Sequence, residues 1–337
     1  GEALLGIAFD TVSDTPWAAA GHRVAWDQFE LSAGVLSDPS VTGEKITILS
    51  PDDNQRVIET GNVKVAVNTH TGSLTSLLIG GKELLHGELT PNFWKIPNDN
   101  QYGNKYVARL GVWQNAAEKM LVTDFDIEAL EDRVEITVVG NLKIGGSSCE
   151  LKYTVFSGGV VHVQAGYVPG QGNVPGQGKT PLLPRFGVQF AVGNDLDHVT
   201  WYGRGPQETY WDRKTGGEIA VYESTPMDLF HKYVRPQDAA NRCDVRWLRL
   251  SDDSGHGIEI AGDQPLSMSV WPYTMSEVES ASHPYELQRS EFNTIFVDLN
   301  LQGVGGDNSW GARTHAQYTL PGNQPYRFSF SISPVGL

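Results

Sequence analysis

The sequence predicts an all-β fold, on three observations. Apolar and polar residues alternate with period two in many short runs, helical periodicity is nearly absent, and 37 Gly and 18 Pro supply turn signals between the runs. Many short strands separated by turns make a sandwich or a barrel, with both faces of each strand accounted for by alternation.

Taken in order, residues 4–9 (Leu-Leu-Gly-Ile-Ala-Phe) form a first strand, Pro16-Trp17 a turn, and residues 22–31 a second strand. A strand pair cannot hold itself together. Gly1 is not a methionine and no basic region precedes the apolar run, so the chain reads as a piece of a longer protein without a visible signal peptide. Residues 35–56, with Ser37-Asp38-Pro39-Ser40 and Ser50-Pro51-Asp52-Asp53, read as a crossing linker, and 57–337 as one large domain with no break in composition. Within it, Val63-Lys64-Val65-Ala66-Val67, Val134-Glu135-Ile136-Thr137-Val138 and Val161-His162-Val163-Gln164-Ala165 alternate as strands. So do Val245-Arg246-Trp247-Leu248-Arg249-Leu250, Ile295-Phe296-Val297-Asp298-Leu299 and Phe328-Ser329-Phe330-Ser331-Ile332. The best helix candidate, residues 115–121, is barely two turns long. One short repeat, Val-Pro-Gly-Gln-Gly at 168–172 and again at 174–178, reads as a mobile hairpin tip.

Composition excludes several functions. A net charge of −15 makes nucleic acid and anionic membranes poor partners, since both repel it. No apolar run approaches the length of a membrane helix, and the mean hydropathy of −0.30 agrees. Two cysteines, Cys149 and Cys243, supply neither a disulfide framework nor a four-thiolate zinc site. The histidines lack paired spacing, so a metal cage is not expected, and His162 within a strand reads as structural. Nucleophile elbow, P-loop and dinucleotide fingerprint are all missing. Asp252-Asp253 and Glu277/Glu279 read as solvated loop acids.

Three segments carry more information. Asn92-Phe93-Trp94-Lys95-Ile96-Pro97-Asn98-Asp99-Asn100 runs an aromatic pair into a polar turn. Residues 201–213 break a strand at Gly203 and Gly205 into a turn crowded with aromatics, in which Glu208, Asp212 and Arg213 would ion-pair and pin the chain. Gly303-Val304-Gly305-Gly306-Asp307-Asn308-Ser309-Trp310, followed by Gly311, has the glycines for unusual backbone angles and ends by projecting one indole. Such a tryptophan is wasted as core and serves better as a flat platform for the C–H face of a sugar.

These segments also carry a resemblance. Phe93-Trp94-Lys95-Ile96-Pro97-Asn98-Asp99-Asn100 resembles the Phe/Trp-Arg-x-Pro-x-Asp-Asn motif of the large bacterial β-galactosidases of glycoside hydrolase family 2, with Lys95 where the family has arginine. Gly203-Arg204-Gly205-Pro206-Gln207-Glu208-Thr209-Tyr210, then Asp212-Arg213, is similar to their Gly-x-Gly-Pro-x-Glu-x-Tyr-x-Asp-Arg signature. Gly305-Gly306-Asp307-Asn308-Ser309-Trp310 is similar to their Gly-Gly-Asp-Asp/Asn-Ser-Trp loop. Ala20-Gly21-His22 with Ala25-Trp26, Leu183-Pro184-Arg185-Phe186-Gly187 and Tyr233-Val234-Arg235-Pro236-Gln237 extend the likeness over nearly the whole chain.

The resemblance implies the C-terminal, small-chain region of such an enzyme. Residues 1–34 would be the last strands of an immunoglobulin-like domain, and 57–337 an antiparallel β-supersandwich like that of galactose mutarotase. The catalytic glutamates, and the Mg2+ and Na+ of the parent enzyme, would belong to a (β/α)8 barrel upstream. This chain would then bind no cofactor, hold no catalytic residue and be inactive alone. It would complete the galactoside pocket and a homo-oligomer in the cytoplasm, a periplasmic or exported parent being the alternative. Trp310 is the one residue carried over, as the tryptophan that stacks on the aglycone, with Gly305, Gly306, Asp307, Asn308 and Ser309 as its loop. Two other readings stay open. One is a carbohydrate-binding module acting alone; the other is an aldose epimerase, which would need two histidines and a carboxylate converging on one concave face.

Overall fold

Alternation becomes strand at each of the six runs quoted above, in a computed structural model that describes residues 1–34, 43–170 and 180–336. The chain divides into two units, Gly1–Asp38 and Pro39–Leu337. In the first, β1 (Ala3–Asp10) pairs antiparallel with β2 (Arg23–Ser32), setting Ala8 opposite Trp26. Thr15 N–H donates to Ala18 O at 2.8 Å and closes the Pro16-Trp17 turn. Leu5, Ile7, Phe9 and Leu31 stay exposed on this ribbon.

The second unit continues with β3 (Ile46–Leu49), β4 (Gln55–Thr60), β5 (Val63–Asn68), β6 (Leu74–Ile79), β7 (Lys82–Glu83) and β8 (Leu85–Asn92). Two short helices follow, α1 (Asp99–Gly103) and α2 (Tyr106–Leu110), then β9 (Leu121–Ala129), β10 (Arg133–Asn141), β11 (Ser148–Phe156) and β12 (Val161–Val168). Next come β13 (Arg185–Gly193), β14 (His198–Gly205), β15 (Glu218–Ser224), α3 (Pro226–Leu229), β16 (Arg242–Ser251) and β17 (Gly257–Trp271). The chain closes with α4 (Met275–Ser280), β18 (Phe292–Leu301) and β19 (Tyr326–Val335).

Every ladder among the described residues is antiparallel. One layer runs β9-β10-β11-β12-β19-β17-β16-β14-β15. The other runs β3-β4-β5-β6-β8-β13-β18-β17. The long strand β17 belongs to both: Gly257–Gly262 pairs with β19, and Ser267–Trp271 with β18. The layers face each other across one apolar core. Tyr153 on β11 donates its hydroxyl to Gly72 O at 2.9 Å, and Phe186 on β13 meets Phe328 on β19 with ring centroids 5.4 Å apart. On β10 the alternation is strict, with Val134, Ile136 and Val138 buried between partly exposed neighbours. This is the all-β fold the alternation predicts and the antiparallel β-supersandwich the resemblance implies.

Three expectations need correction. Residues 115–121 form no helix; the helical turns fall just upstream, because buried Trp113 and Ala116 anchor that segment and Leu121 is drawn into the β9 ladder. The linker read over 35–56 contains β3, whose Ile46-Thr47-Ile48-Leu49 pairs residue by residue with β4. Flanking Pro and Asp hide that β-branched run in the sequence. Glu277 and Glu279 sit on α4, not in a solvated loop: Glu277 completes a capping box with Thr274, and Glu279 accepts from Trp94 Nε1 at 2.9 Å. The linker's residues 35–42 and the repeat's residues 171–178 lie outside the described residues.

Cys149 and Cys243 are free and buried, and burial pushes their thiols up to about 12 and about 11. A thiol that stays protonated is a poor nucleophile. The native protein should therefore resist a thiol reagent at pH 8, and the denatured, unreduced chain should titrate two thiols.

Candidate functional site

The three informative segments meet around the loop after β18. The first segment begins it. Asn98 caps α1, its side chain accepting from Gln101 N at 2.9 Å while Gln101 Oε1 accepts from Asn98 N at 3.1 Å. This reciprocal box satisfies two backbone donors at the helix start. Asn98 Nδ2 then donates to Val304 O at 2.9 Å, and Gln101 Nε2 to Gly303 O at 3.3 Å.

The second segment closes on the same loop from another direction. Glu208 bonds with Arg213 and Tyr233 through one oxygen and accepts from Ala240 N at 2.9 Å through the other. The Arg213 guanidinium lies 5.1 Å from the centre of the Tyr210 ring. Two of the three charges expected to pin this turn do so. The third, Asp212, reaches out instead: its Oδ2 accepts from Gly305 N at 2.7 Å.

The third segment is thus held at its stem and free at its tip. Gly303 is buried, residues 305–310 are exposed, and Trp310 is 93% exposed. Asn308 Oδ1 accepts from Trp310 N at 2.9 Å, and Asp307 pairs with His315 at 2.7 Å. Of the four glycines, only Gly311 has a left-handed φ, at +99°. Gly303 is needed for closeness, since a Cβ there would stand 2.5 Å from Asp212 Oδ2.

Behind the loop lies a buried charged network. Arg185 is fully buried, donating to Asp238 at 2.8 Å and pairing with Asp298 at 3.3 Å; Tyr210 donates to the other Asp238 oxygen at 2.7 Å. Burial pushes the Asp298 carboxyl up to about 7. Lys95, also fully buried, donates to Gln101 Oε1 at 3.0 Å, and burial brings its ammonium down to about 8. Unfolded, it would bind its proton up to about its ordinary 10.5, so between these values the unfolded chain holds more protons. The stability of the wild type should therefore rise relative to Lys95→Met as pH goes from 8 to 10, read from urea midpoints of both proteins.

Gln101, Thr314 and Asp238 are absent from the sequence reading. The Asn98-x-x-Gln101 spacing was the available signal for the first. Elsewhere, a cleft of about 840 Å³ opens between β8, β13, α4 and the 113–120 turn. It holds Glu88, Glu118, Glu279 and a single histidine, His70, so the two histidines an epimerase needs do not converge there. Trp310 lies outside it. Among the described residues no three His, Cys, Asp or Glu gather as a group that could hold a metal. No helix among them is long and apolar enough to cross a membrane.

Fold and site together define an all-β supersandwich domain that presents one indole on a clamped loop. The family model described as beta galactosidase small chain matches residues 59–332, and that described as beta-galactosidase, domain 4 matches residues 1–32. The chain belongs to the beta-galactosidase small-chain family. It is 33% identical over 335 residues to a beta-galactosidase of Priestia megaterium, covering 99% of this chain and 32% of that protein. It is 31% identical over 337 residues to one of Halalkalibacterium halodurans, covering 99% and 33%. The chain thus spans about a third of the length of these curated relatives. A galactose 1-epimerase from Lactobacillus acidophilus aligns at 11% identity with a TM-score of 0.49, over 87% of this chain and 100% of that one.

Proposed function

We propose that this chain is the non-catalytic C-terminal part of a retaining β-galactosidase that hydrolyses terminal β-D-galactosides, and that Trp310 stacks on the substrate at the mouth of its pocket. The observation that carries the reading is an indole 93% exposed at the tip of a loop whose stem two separate motifs hold. Exposure on that scale removes core packing as its purpose. A ring face offers a sugar's C–H groups a flat apolar partner. The catalytic carboxylates and any Mg2+ or Na+ belong to an upstream (β/α)8 barrel of a homo-oligomeric, cytoplasmic parent.

Trp310→Ala in the parent enzyme tests this. Losing a stacking contact should cost about 1–3 kcal/mol of binding, or about 5- to 150-fold in KM for lactose. A contact equal in ground and transition states leaves kcat nearly unchanged. The unfolding midpoint of the chain should move little. An unchanged KM with a lowered midpoint would make Trp310 a structural residue. Turnover of a chromogenic β-galactoside by the isolated chain would overturn the non-catalytic assignment.

A further inference from the structure

We propose that Asp212 is a positioning residue for Trp310: by holding the Gly305 amide it fixes where the indole stands before substrate arrives. The proposal rests on the reading that Trp310 meets substrate. Three consecutive residues at the loop stem have a backbone polar group taken by a side chain from far along the chain. Gln101 takes Gly303 O at 3.3 Å, Asn98 takes Val304 O at 2.9 Å, and Asp212 takes Gly305 N at 2.7 Å. Thr314 Oγ1 sits between Gly303 O at 2.9 Å and Gly305 O at 3.1 Å, tying the returning strand of the loop to the same stem.

These bonds are not equivalent. Asn98 and Gln101 also build the α1 cap, so their loss would disturb the helix as well. Asp212 is the outermost of these three clamps, bonding the first residue of the exposed tip, and its bond to an amide is charge-assisted. Its own place is set by the Glu208 bonds to Arg213, Tyr233 and Ala240, and by the Trp211 ring against Tyr318, centroids 6.0 Å apart. Tyr318 O in turn accepts from Gly303 N at 3.0 Å. The 206–213 turn is therefore a rigid arm with one carboxylate extended to the loop.

Without that carboxylate the Gly305 amide turns to water and the tip samples more positions. Apparent affinity falls by the fraction of time the indole stands in its binding position. Asp212→Ala in the parent enzyme should raise KM about 3- to 10-fold with kcat nearly unchanged. Asp212→Asn, which keeps an acceptor oxygen, should restore KM to within about twofold of the wild type. In a Trp310→Ala background Asp212→Ala should add almost nothing to KM, because there is no ring left to position. Exchange of the Gly305 amide should quicken in Asp212→Ala and stay near the wild-type rate in Asp212→Asn. If Asp212→Ala does not fold, Asp212→Ser takes its place.

The outcomes separate. If Trp310→Ala raises KM and Asp212→Ala does not, or if the two effects multiply, the positioning role is wrong and the stacking role stands. If Trp310→Ala leaves KM unchanged, the stacking role falls, and the positioning role with it.

Discussion

Arg185→Ala should destabilise the supersandwich by about 3–5 kcal/mol, the loss expected when one partner of a buried ion pair is removed. The side chains of Arg185 and Asp298 are 0% exposed and that of Asp238 is 1% exposed, so the two carboxyl groups lose their cation while buried. The guanidinium also covers the Phe296 ring at 4.8 Å, and its removal leaves a hole in the core. The loss has a sign with pH. Asp298 titrates at about 7 in the fold against an ordinary carboxylate value of 3.8, so its charge costs stability as pH rises through 7 and none once it is protonated in both states. Removing its cation raises that carboxyl further. The deficit of Arg185→Ala should therefore be largest at pH 8 and smaller at pH 5, measured as urea midpoints against the wild type. A uniform deficit at both would mean that packing alone, without charge, accounts for the residue.

Gly187→Ala should cost about as much, for a steric reason. A Cβ on Gly187 would stand 1.8 Å from Asp298 Oδ1 and 2.7 Å from Val297 O. The register slips by one residue there, with Phe186 opposite Asn300 and Gly187 opposite Asp298, so the two backbones approach at a bulge. Asp298 cannot swing away without leaving Arg185. Overpacking of about 1–3 kcal/mol therefore adds to a weakened ion pair, for a total of about 3–5 kcal/mol. Gly166→Ala is the control: a Cβ at Gly166 in β12 finds nothing closer than 3.6 Å, an ordinary contact. Thermal melts of both variants decide the matter. A Gly187→Ala protein as stable as Gly166→Ala would show that the bulge yields.

Strands were legible in the sequence because burial on one face writes period two directly into the residues, as in Val134, Ile136 and Val138. The short helices were not. α1 and α2 have five residues each, too few to display a period, and they are held by the Asn98 cap and by buried Tyr106 and Leu110. The exposed loop and its tryptophan were visible from glycine content. Its clamps were not, since Asp212 and Gly305 are 93 positions apart and nothing local marks them as partners. Arg185 shows the same limit more sharply. An arginine in Leu183-Pro184-Arg185-Phe186-Gly187 looks like a surface charge until β13 and β18 bring Asp298 beside it.

The double membership of β17 orders events in time as well as in space. β12 must wait for β19, β13 must wait for β18, and both layers must wait for β17 to bond across them. During synthesis, strands made more than 100 residues earlier remain with open hydrogen-bonding edges until residues 257–335 leave the ribosome. Such edges invite pairing with other nascent chains. Ribosome-bound intermediates stalled before residue 257 should bind chaperones and aggregate when these are withdrawn. Chains that have completed β19 should bury these edges and let the chaperones go.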